Sequence, residues 1–379
     1  MTKLDRAQFV ASMSDERAFR DEQVALGGVW TFLGFVDDIP QDGDWFVTRL
    51  GARSIFVQRF AQGIRGFENV CAHRHYPLRT ANRGHGPIRC GFHHWQYDAE
   101  GRAVGIPKCD EQFGAAPRQL DKRLRHIEID ICGSLLFGRF PSGSSDPSLS
   151  AYLREAFPIL QASFGKLGRR QKYSTRTHAN WKLGYEISLD DYHLVAVHPD
   201  TFGRGGYLKP DVVRYFRFGP HSAYFYGAED DALTRMSADC AVGKYVPQDY
   251  RIFQIFPNLI LVHFEARGTW YSLLQQYAPI ASDETEFRFW LTRAPYYIPK
   301  PTSLVLFDRI ASPLVLPIIG SYIRKIGRED NAICEGLQRS ALSADFDPAF
   351  ARHEQRIAWF EEAYAEAIQK YRKPDLARA

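Results

Sequence analysis

No stretch of this 379-residue sequence is long and apolar enough to span a membrane. The greasiest run, Pro313 to Ile323, is short and broken by Pro317 and Gly320. No long basic block is present either. Lysine and arginine number 48 against 44 acidic residues, and the two signs are interspersed at a net charge of +4. That pattern leaves no footprint for a nucleic-acid partner. The first ten residues are polar and charged, unlike a signal peptide. Cysteine is scarce, at six. A cytoplasmic chain is therefore expected, with thiols that stay reduced or bind metal. Also missing are a flavin or nicotinamide motif, a plant-type ferredoxin cysteine cluster and any internal repeat. Any electrons the chain uses must come from another protein.

Apolar residues are plentiful, at 45% with 14% aromatic, so a packed core is expected and disorder is not. The length suits two domains. Residues Asp5 to Ala25 are polar with scattered apolar positions and predict a helical segment. From Gly28 to Phe140 the texture changes to short alternating runs, such as Trp45 to Leu50 and Ser54 to Phe60, separated by glycines. This predicts a small all-β module closing with Ile127 to Ile131 and Leu135 to Gly138. Pro141 to Ser148, rich in Pro, Ser and Gly, is the one clear linker. Beyond it, helices are expected over 150–167 and 181–195, and strands over 212–218, 253–264, 269–277 and 286–292. An apolar spacing near 3.6 predicts a helix between Pro348 and Tyr371. The fold class is α+β, with boundaries at 1–26, 27–140, 141–150 and 151–379.

Two clusters carry chemistry. In the β module, Cys71-Ala72-His73 is followed after sixteen residues by Cys90-Gly91-Phe92-His93. Two thiolates and two imidazoles can hold zinc or a 2Fe–2S cluster. Zinc ribbons use paired Cys-x-x-Cys knuckles, and zinc fingers place both histidines on one helix. Here each arm carries one Cys and one His, so the cysteines can take one iron and the histidines the other. Cys109, Cys132, Cys240 and Cys334 have no histidine at ligand spacing and read as buried thiols. In the second region His193 and His198 stand five apart, ahead of Pro199. Two imidazoles and one carboxylate would form a facial triad for Fe(II), open to oxygen and substrate. A helix end that merely collects histidines is the plainer alternative. Asp190 and His193, three apart, would share a helix face, and a carboxylate on the imidazole N–H fixes its tautomer.

The flanks of both clusters resemble the large subunits of the Rieske ring-hydroxylating oxygenases. The first match is Asn69-Val70-Cys71-Ala72-His73-Arg74 with Cys90-Gly91-Phe92-His93-His94-Trp95-Gln96-Tyr97. Family members usually have Pro and an aromatic residue between the second Cys and His, and a small residue where His94 stands. His94 and His75 are thus not ligands. The second match runs from Asn180-Trp181-Lys182 through Asp190 and His193 to His198. The third is Arg328-Glu329-Asp330 through Cys334-Glu335 to Gln338.

The resemblance implies an N-terminal Rieske domain and a helix-grip catalytic domain, an antiparallel sheet folded around a long helix. Cys71, His73, Cys90 and His93 would hold 2Fe–2S, and His193, His198 and Asp330 the mononuclear Fe(II), with Glu329 the alternative to Asp330. Asp190 would link the two centres across a subunit boundary, with Asp191 second to it. The resemblance also implies a homotrimer, in some members with a small β subunit, fed by a separate reductase directly or through a ferredoxin. The implied reaction is hydroxylation, cis-dihydroxylation or oxidative demethylation of a small aromatic or apolar substrate. Tyr185, Leu194, Phe253, Phe256, Leu261 and Trp270 are candidate pocket residues that equally suit a core. A non-catalytic Rieske electron carrier and a zinc-stabilised binding protein are the rival readings. The second cluster and the length beyond the β module argue against the first, and the composition of the first cluster against the second.

Overall fold

A computed structural model describes residues 6–143, 146–165, 170–203, 212–266, 269–294, 302–343 and 348–372. Residues 144 and 145 of the expected linker lie outside them, as do 166 and 167 of the expected helix. Two helices open the chain, α1 (Arg6–Ala11) and α2 (Glu16–Leu26). Ten strands come next: β1 (Thr31–Phe35), β2 (Asp44–Leu50), β3 (Arg53–Phe60), β4 (Gly63–Glu68), β5 (Arg83–His85), β6 (Ile88–Arg89), β7 (Gln96–Tyr97), β8 (Ala103–Gly105), β9 (His126–Cys132) and β10 (Leu135–Arg139). Two short helices, α3 (Cys109–Phe113) and α4 (Pro117–Leu120), interrupt them. Then come α5 (Leu149–Leu153), α6 (Ala156–Phe164), β11 (Gln171–Thr177), α7 (Trp181–Ile187) and α8 (Leu194–Val197). The remainder is β12 (Val213–Phe218), β13 (His221–Tyr226), α9 (Ala232–Ala241), β14 (Arg251–Ile255), β15 (Leu259–Ala266), β16 (Thr269–Ala281), β17 (Glu284–Arg293), α10 (Thr302–Ala341) and α11 (Gln355–Tyr371).

The chain divides into two compact units, one of residues 23–149 with 371–379, the other of 1–22 with 150–370. In the first unit, a seven-stranded sheet runs β1-β10-β9-β4-β3-β2-β5 and a small one runs β6-β7-β8. Strand side chains alternate between faces, and β3 uses both. Ile55 and Val57 enter a core with Leu33, Phe46 and Leu136, while Phe56 enters another with Phe67, Cys71, Cys90, Trp95 and Tyr97. The loops carrying the Cys/His pairs are thereby seated on a packed hydrophobic floor.

In the second unit, seven antiparallel strands run β11-β17-β16-β15-β14-β13-β12, with α10 against α7, β11 and β17. The strand expected over 253–264 is instead a hairpin, β14 and β15. Pro257 has no N–H to give to a ladder, and the Asn258 side chain turns away to donate to Tyr277 O at 3.0 Å. β13 carries no period-two pattern, because nearly every residue in it is buried. The apolar run at Pro313 to Ile323 lies inside the 40-residue α10. At Gly320 a Cβ would meet the movable end of the Gln171 side chain on β11. Among the described residues no helix is long and apolar enough to cross a membrane.

The Asn180-Trp181-Lys182 string is the anchor of α7. Asn180 caps the helix by accepting from Lys182 N at 3.1 Å, and its amide donates to Ser12 O and Ser282 O. Trp181 Nε1 donates to Glu22 Oε1 at 2.8 Å, and Lys182 Nζ to Glu22 Oε2 at 2.6 Å. Ser12 Oγ and Tyr364 OH also donate to Glu22 Oε2. Burial alone would raise the Glu22 carboxyl, but Lys182 and these donors hold it below its usual range. The polar N-terminal segment is thus held within the second unit by a fully desolvated ion pair.

A buried charge is tolerated only with its partner. Glu22→Ala should cost about 3–5 kcal/mol, because it strands Lys182 without a counter-charge. Glu22→Leu combined with Lys182→Met should recover much of that loss. Urea denaturation followed through tryptophan fluorescence measures both. Equal midpoints for Glu22→Ala and wild type would contradict the assignment.

Candidate metal centres

The structure ends α7 at Ile187, so the helix expected to run on to Val195 does not. Gly184 seats α7 on the sheet: a Cβ there would lie 2.5 Å from the Tyr277 ring, so only glycine lets the helix pack this closely on β16. Beyond Ile187 the chain turns, and Asp190 meets His193 through an Asx-type turn rather than on a helix face. Asp190 Oδ1 accepts from Tyr192 N at 2.5 Å and His193 N at 3.4 Å, which leaves Oδ2 3.1 Å from His193 Nδ1. His193 is the N-cap of the four-residue α8 and His198 its C-cap. One short helical turn therefore sets the two imidazoles 5.4 Å apart, centroid to centroid.

The third group arrives from α10. Asp330 Oδ1 lies 2.9 Å from His198 Nε2 and 3.7 Å from His193 Nε2. One ligand atom from each of the three residues lies within 4.8 Å of the others, the only such group among the described residues. Asp330 Oδ1 is buried and, in spite of the short distance, is not aligned for a hydrogen bond with either ring. Three possible ligand atoms thus converge on one point, which suits a cation. Glu329, the alternative, does not join the group. Its Oε2 lies 2.8 Å from Nδ1 of His198, on the far side of the ring. Both histidines therefore have a carboxylate at Nδ1 and turn Nε2 inward.

Asp191, the neighbour of Asp190, is buried and points away from the histidines. It accepts from Arg356 at 2.7 Å and Tyr215 OH at 2.7 Å. Burial pushes its carboxyl up although Arg356 pulls the other way. Its place is structural: it ties the turn carrying Asp190 and His193 to α11.

In the first unit the two Cys/His loops share one backbone plan. His75 N donates to Cys71 O and His94 N to Cys90 O. His75 and His94 both adopt positive φ, at 60° and 58°. These are the positions glycine favours. His94 Nδ1 instead faces Arg89 at 2.8 Å. The rings of His73 and His93 lie 4.6 Å apart. His73 Nδ1 is buried with no hydrogen-bond partner among the described residues, an orphan that metal ligation would satisfy. Trp95 stacks on the His73 ring at 4.9 Å. Tyr97 OH accepts from Ala72 N at 3.1 Å and lies 3.1 Å from Cys71 Sγ, to which it would donate when that sulfur is a metal-bound thiolate. Cys71 and Cys90 share one buried cluster, and the His73 and His93 rings lie side by side, so thiol is grouped with thiol and imidazole with imidazole, the division a 2Fe–2S cluster with two histidines uses. All six cysteines are buried, as expected for the four without histidine neighbours. Of the pocket candidates, Tyr185, Phe253, Phe256 and Leu261 are core residues.

The metal-free triad has a pH signature. Burial opposes charge on His193, but Asp190 and Asp330 outweigh it and lift its pKa to about 9. His198 also rises, against burial, through Asp330 and Glu329. At pH 7 His193 of the metal-free triad therefore carries a proton, which an incoming cation must expel. Affinity should increase with pH and level off above about pH 9. Calorimetry of Co(II) binding at pH 7 in buffers of different protonation enthalpy measures the release, and a buffer-independent heat would contradict it.

The family model "Ring hydroxylating alpha subunit (catalytic domain)" matches residues 164–370, and "Rieske [2Fe-2S] domain" matches 29–123. The chain is 30% identical over 209 residues to the large subunit of anthranilate 1,2-dioxygenase from Burkholderia cepacia, covering 52% of this chain and 47% of that one. It is 29% identical over 199 residues to the alpha subunit of N,N-dimethyl phenylurea N-demethylase from Sphingobium sp. (strain YBL2), covering 48% and 42%. The chain thus spans about half the length of the curated relatives it matches. In fold it is similar to naphthalene 1,2-dioxygenase from Rhodococcus sp., with a TM-score of 0.71, 21% identity, and 95% and 93% of the two chains covered. A Rieske domain carries a 2Fe–2S cluster and this catalytic domain a mononuclear iron. With more than half its length matched by the catalytic-domain model, the chain belongs to the ring-hydroxylating alpha subunit family of Rieske non-haem iron oxygenases.

Proposed function

We propose that the chain is a terminal oxygenase component, using O2 and electrons from a separate reductase. It hydroxylates, cis-dihydroxylates or oxidatively demethylates a small aromatic or apolar substrate in the cytoplasm. The observation that carries this reading is the convergence of His193 Nε2, His198 Nε2 and Asp330 in a chain that also holds a Cys₂His₂ pair of loops. A pure electron carrier has no use for the first, and neither has a zinc-stabilised binding protein. In this assignment Cys71, His73, Cys90 and His93 hold the cluster, His193, His198 and Asp330 hold the iron, and the chain from 151 onward is the catalytic domain.

When bound, the cluster passes single electrons and the mononuclear iron activates dioxygen. The protein's own groups prepare both places. Tyr97 donates to Cys71 Sγ, and a hydrogen bond to sulfur favours the reduced, more negative cluster. Asp190 fixes the tautomer of His193 by accepting at Nδ1. Exposed side chains beside both sites support a homotrimer. Phe92 and Tyr76 are exposed beside the ligand loops, and Tyr192 and Val195 beside His193. In a homotrimer the cluster loops of one copy would cover the Asp190 turn of the next, bringing His93 of that copy toward Asp190. A ferredoxin and a small β subunit are compatible additions.

The purified protein should be red-brown and contain about three irons per chain. Cys90→Ser should bleach it and His94→Ala should not. A colourless protein after reconstitution with iron and sulfide would end the proposal. Asp190→Asn should keep iron and a reducible cluster yet stall reoxidation of the pre-reduced cluster in single turnover. A wild-type rate for that variant would remove the bridging role. Asp191→Asn tests something else, because it uncouples Arg356 and should lower the melting temperature.

A further inference from the structure

We propose that Glu329 is a positioning residue. Its carboxylate holds the His198 ring with Nε2 turned toward Asp330, doing for the second histidine what Asp190 does for the first. The inference rests on the assignment of His193, His198 and Asp330 as the iron site. It assigns the neighbouring acid a role other than ligation.

The geometry divides the acidic pair. Successive residues on a helix diverge by about 100° around its axis, so Glu329 and Asp330 cannot aim at one point. They straddle the imidazole instead. Glu329 Oε2 lies 2.8 Å from Nδ1 and Asp330 Oδ1 2.9 Å from Nε2, on opposite edges of the ring. The His198 side chain is only 1% exposed, so water has little access to Nδ1 and the carboxylate is its acceptor. The other oxygen, Oε1, faces Lys325 Nζ at 3.8 Å, one helical turn back. The lysine is half exposed, so it restrains the carboxylate more than it stabilises the fold.

The parallel with Asp190 is close. There Oδ2 faces His193 Nδ1 while Oδ1 is pinned by two backbone amides. Each imidazole thus has one carboxylate that orients it, and that carboxylate is itself held by a second contact. Such outer partners set ring orientation and ligand basicity. The two differ in mounting. Asp190 sits on a turn, whereas Glu329 shares a helix with Asp330, so a shift of α10 would move a ligand and an orienting group together.

The test is Co(II) titration, followed by visible absorption, of protein that retains its cluster and has been stripped of its mononuclear metal. Glu329→Ala should weaken Co(II) binding about 10- to 100-fold. Glu329→Gln should stay within about threefold of wild type, because its amide oxygen still accepts the Nδ1 proton. Rescue by the conservative variant is what a merely structural role would not give. Glu329→Ala binding like wild type would overturn the proposal, as would Glu329→Gln losing as much as Glu329→Ala. If Glu329→Ala fails to fold, Glu329→Asp takes its place. Its retracted carboxylate should weaken binding at an unchanged metal-free melting temperature, and wild-type affinity there would overturn the proposal. Asp330→Ala separates the two levels of inference. If it binds Co(II) like wild type, the iron-site assignment itself fails. If it loses the metal while Glu329→Ala does not, only the role of Glu329 fails.

Discussion

One buried carboxylate organises the catalytic unit. Asp330 turns a buried oxygen inward, where burial alone would drive it neutral, and the close approach of two imidazoles holds it below its usual carboxylate range instead. That balance requires His193 and His198 to converge on a helix that lies far along the chain: Glu329 and His198 are 131 residues apart. Everything that fixes α7, α8 and α10 relative to each other therefore serves this charge arrangement.

The devices that do so are specific. Gly184 removes a side chain so that α7 can lie on Tyr277. Gln338, two turns beyond Asp330, accepts from Asn180 N at the start of α7 and donates to Met13 O. The same α10 thus reaches the cap of the helix whose far end leads to the histidines. Glu22 and Lys182 add a desolvated pair beneath that cap. Asp191 and Arg356 tie the other side of the histidine turn to α11. Buried pairs of this kind contribute little net stability, but they penalise any arrangement that separates them. Their use here is to leave one position available to the metal-binding side chains.

The first unit solves a different problem. Its ligand loops must present sulfurs to a dry floor and imidazoles to the surface. Cys71 and Cys90 are buried among Phe56, Phe67, Trp95 and Tyr97, while His73 and His93 stand partly exposed above them. The loops repeat one turn with a left-handed residue at its close, filled here by His75 and His94. Tyr97 accepts from Ala72 N and sets its hydroxyl beside the Cys71 sulfur. Burial and hydrogen bonding of the sulfurs are the levers by which a protein sets a cluster's potential.

The Cys/His loops were legible in the sequence because both Cys/His pairs sit within one short stretch, where spacing alone carries the pattern. The alternating strands of the β module were legible for the same reason: period two is a local property. His193 and His198 could be found as a pair, and Asp190 as their neighbour, but the resemblance alone selected Asp330. A helix tells nothing in sequence about which of two adjacent acids faces a site formed by another segment. Tertiary structure decided that Asp330 faces Nε2 and Glu329 faces Nδ1, because the two directions differ by a helical rotation that only the placement of α10 fixes. It also decided that Asp190 reaches His193 through a turn, and that Asp191 is a buried anchor rather than a bystander. Local chemistry is written in spacing, whereas a buried charge and its partners are set by which distant segments exclude water together.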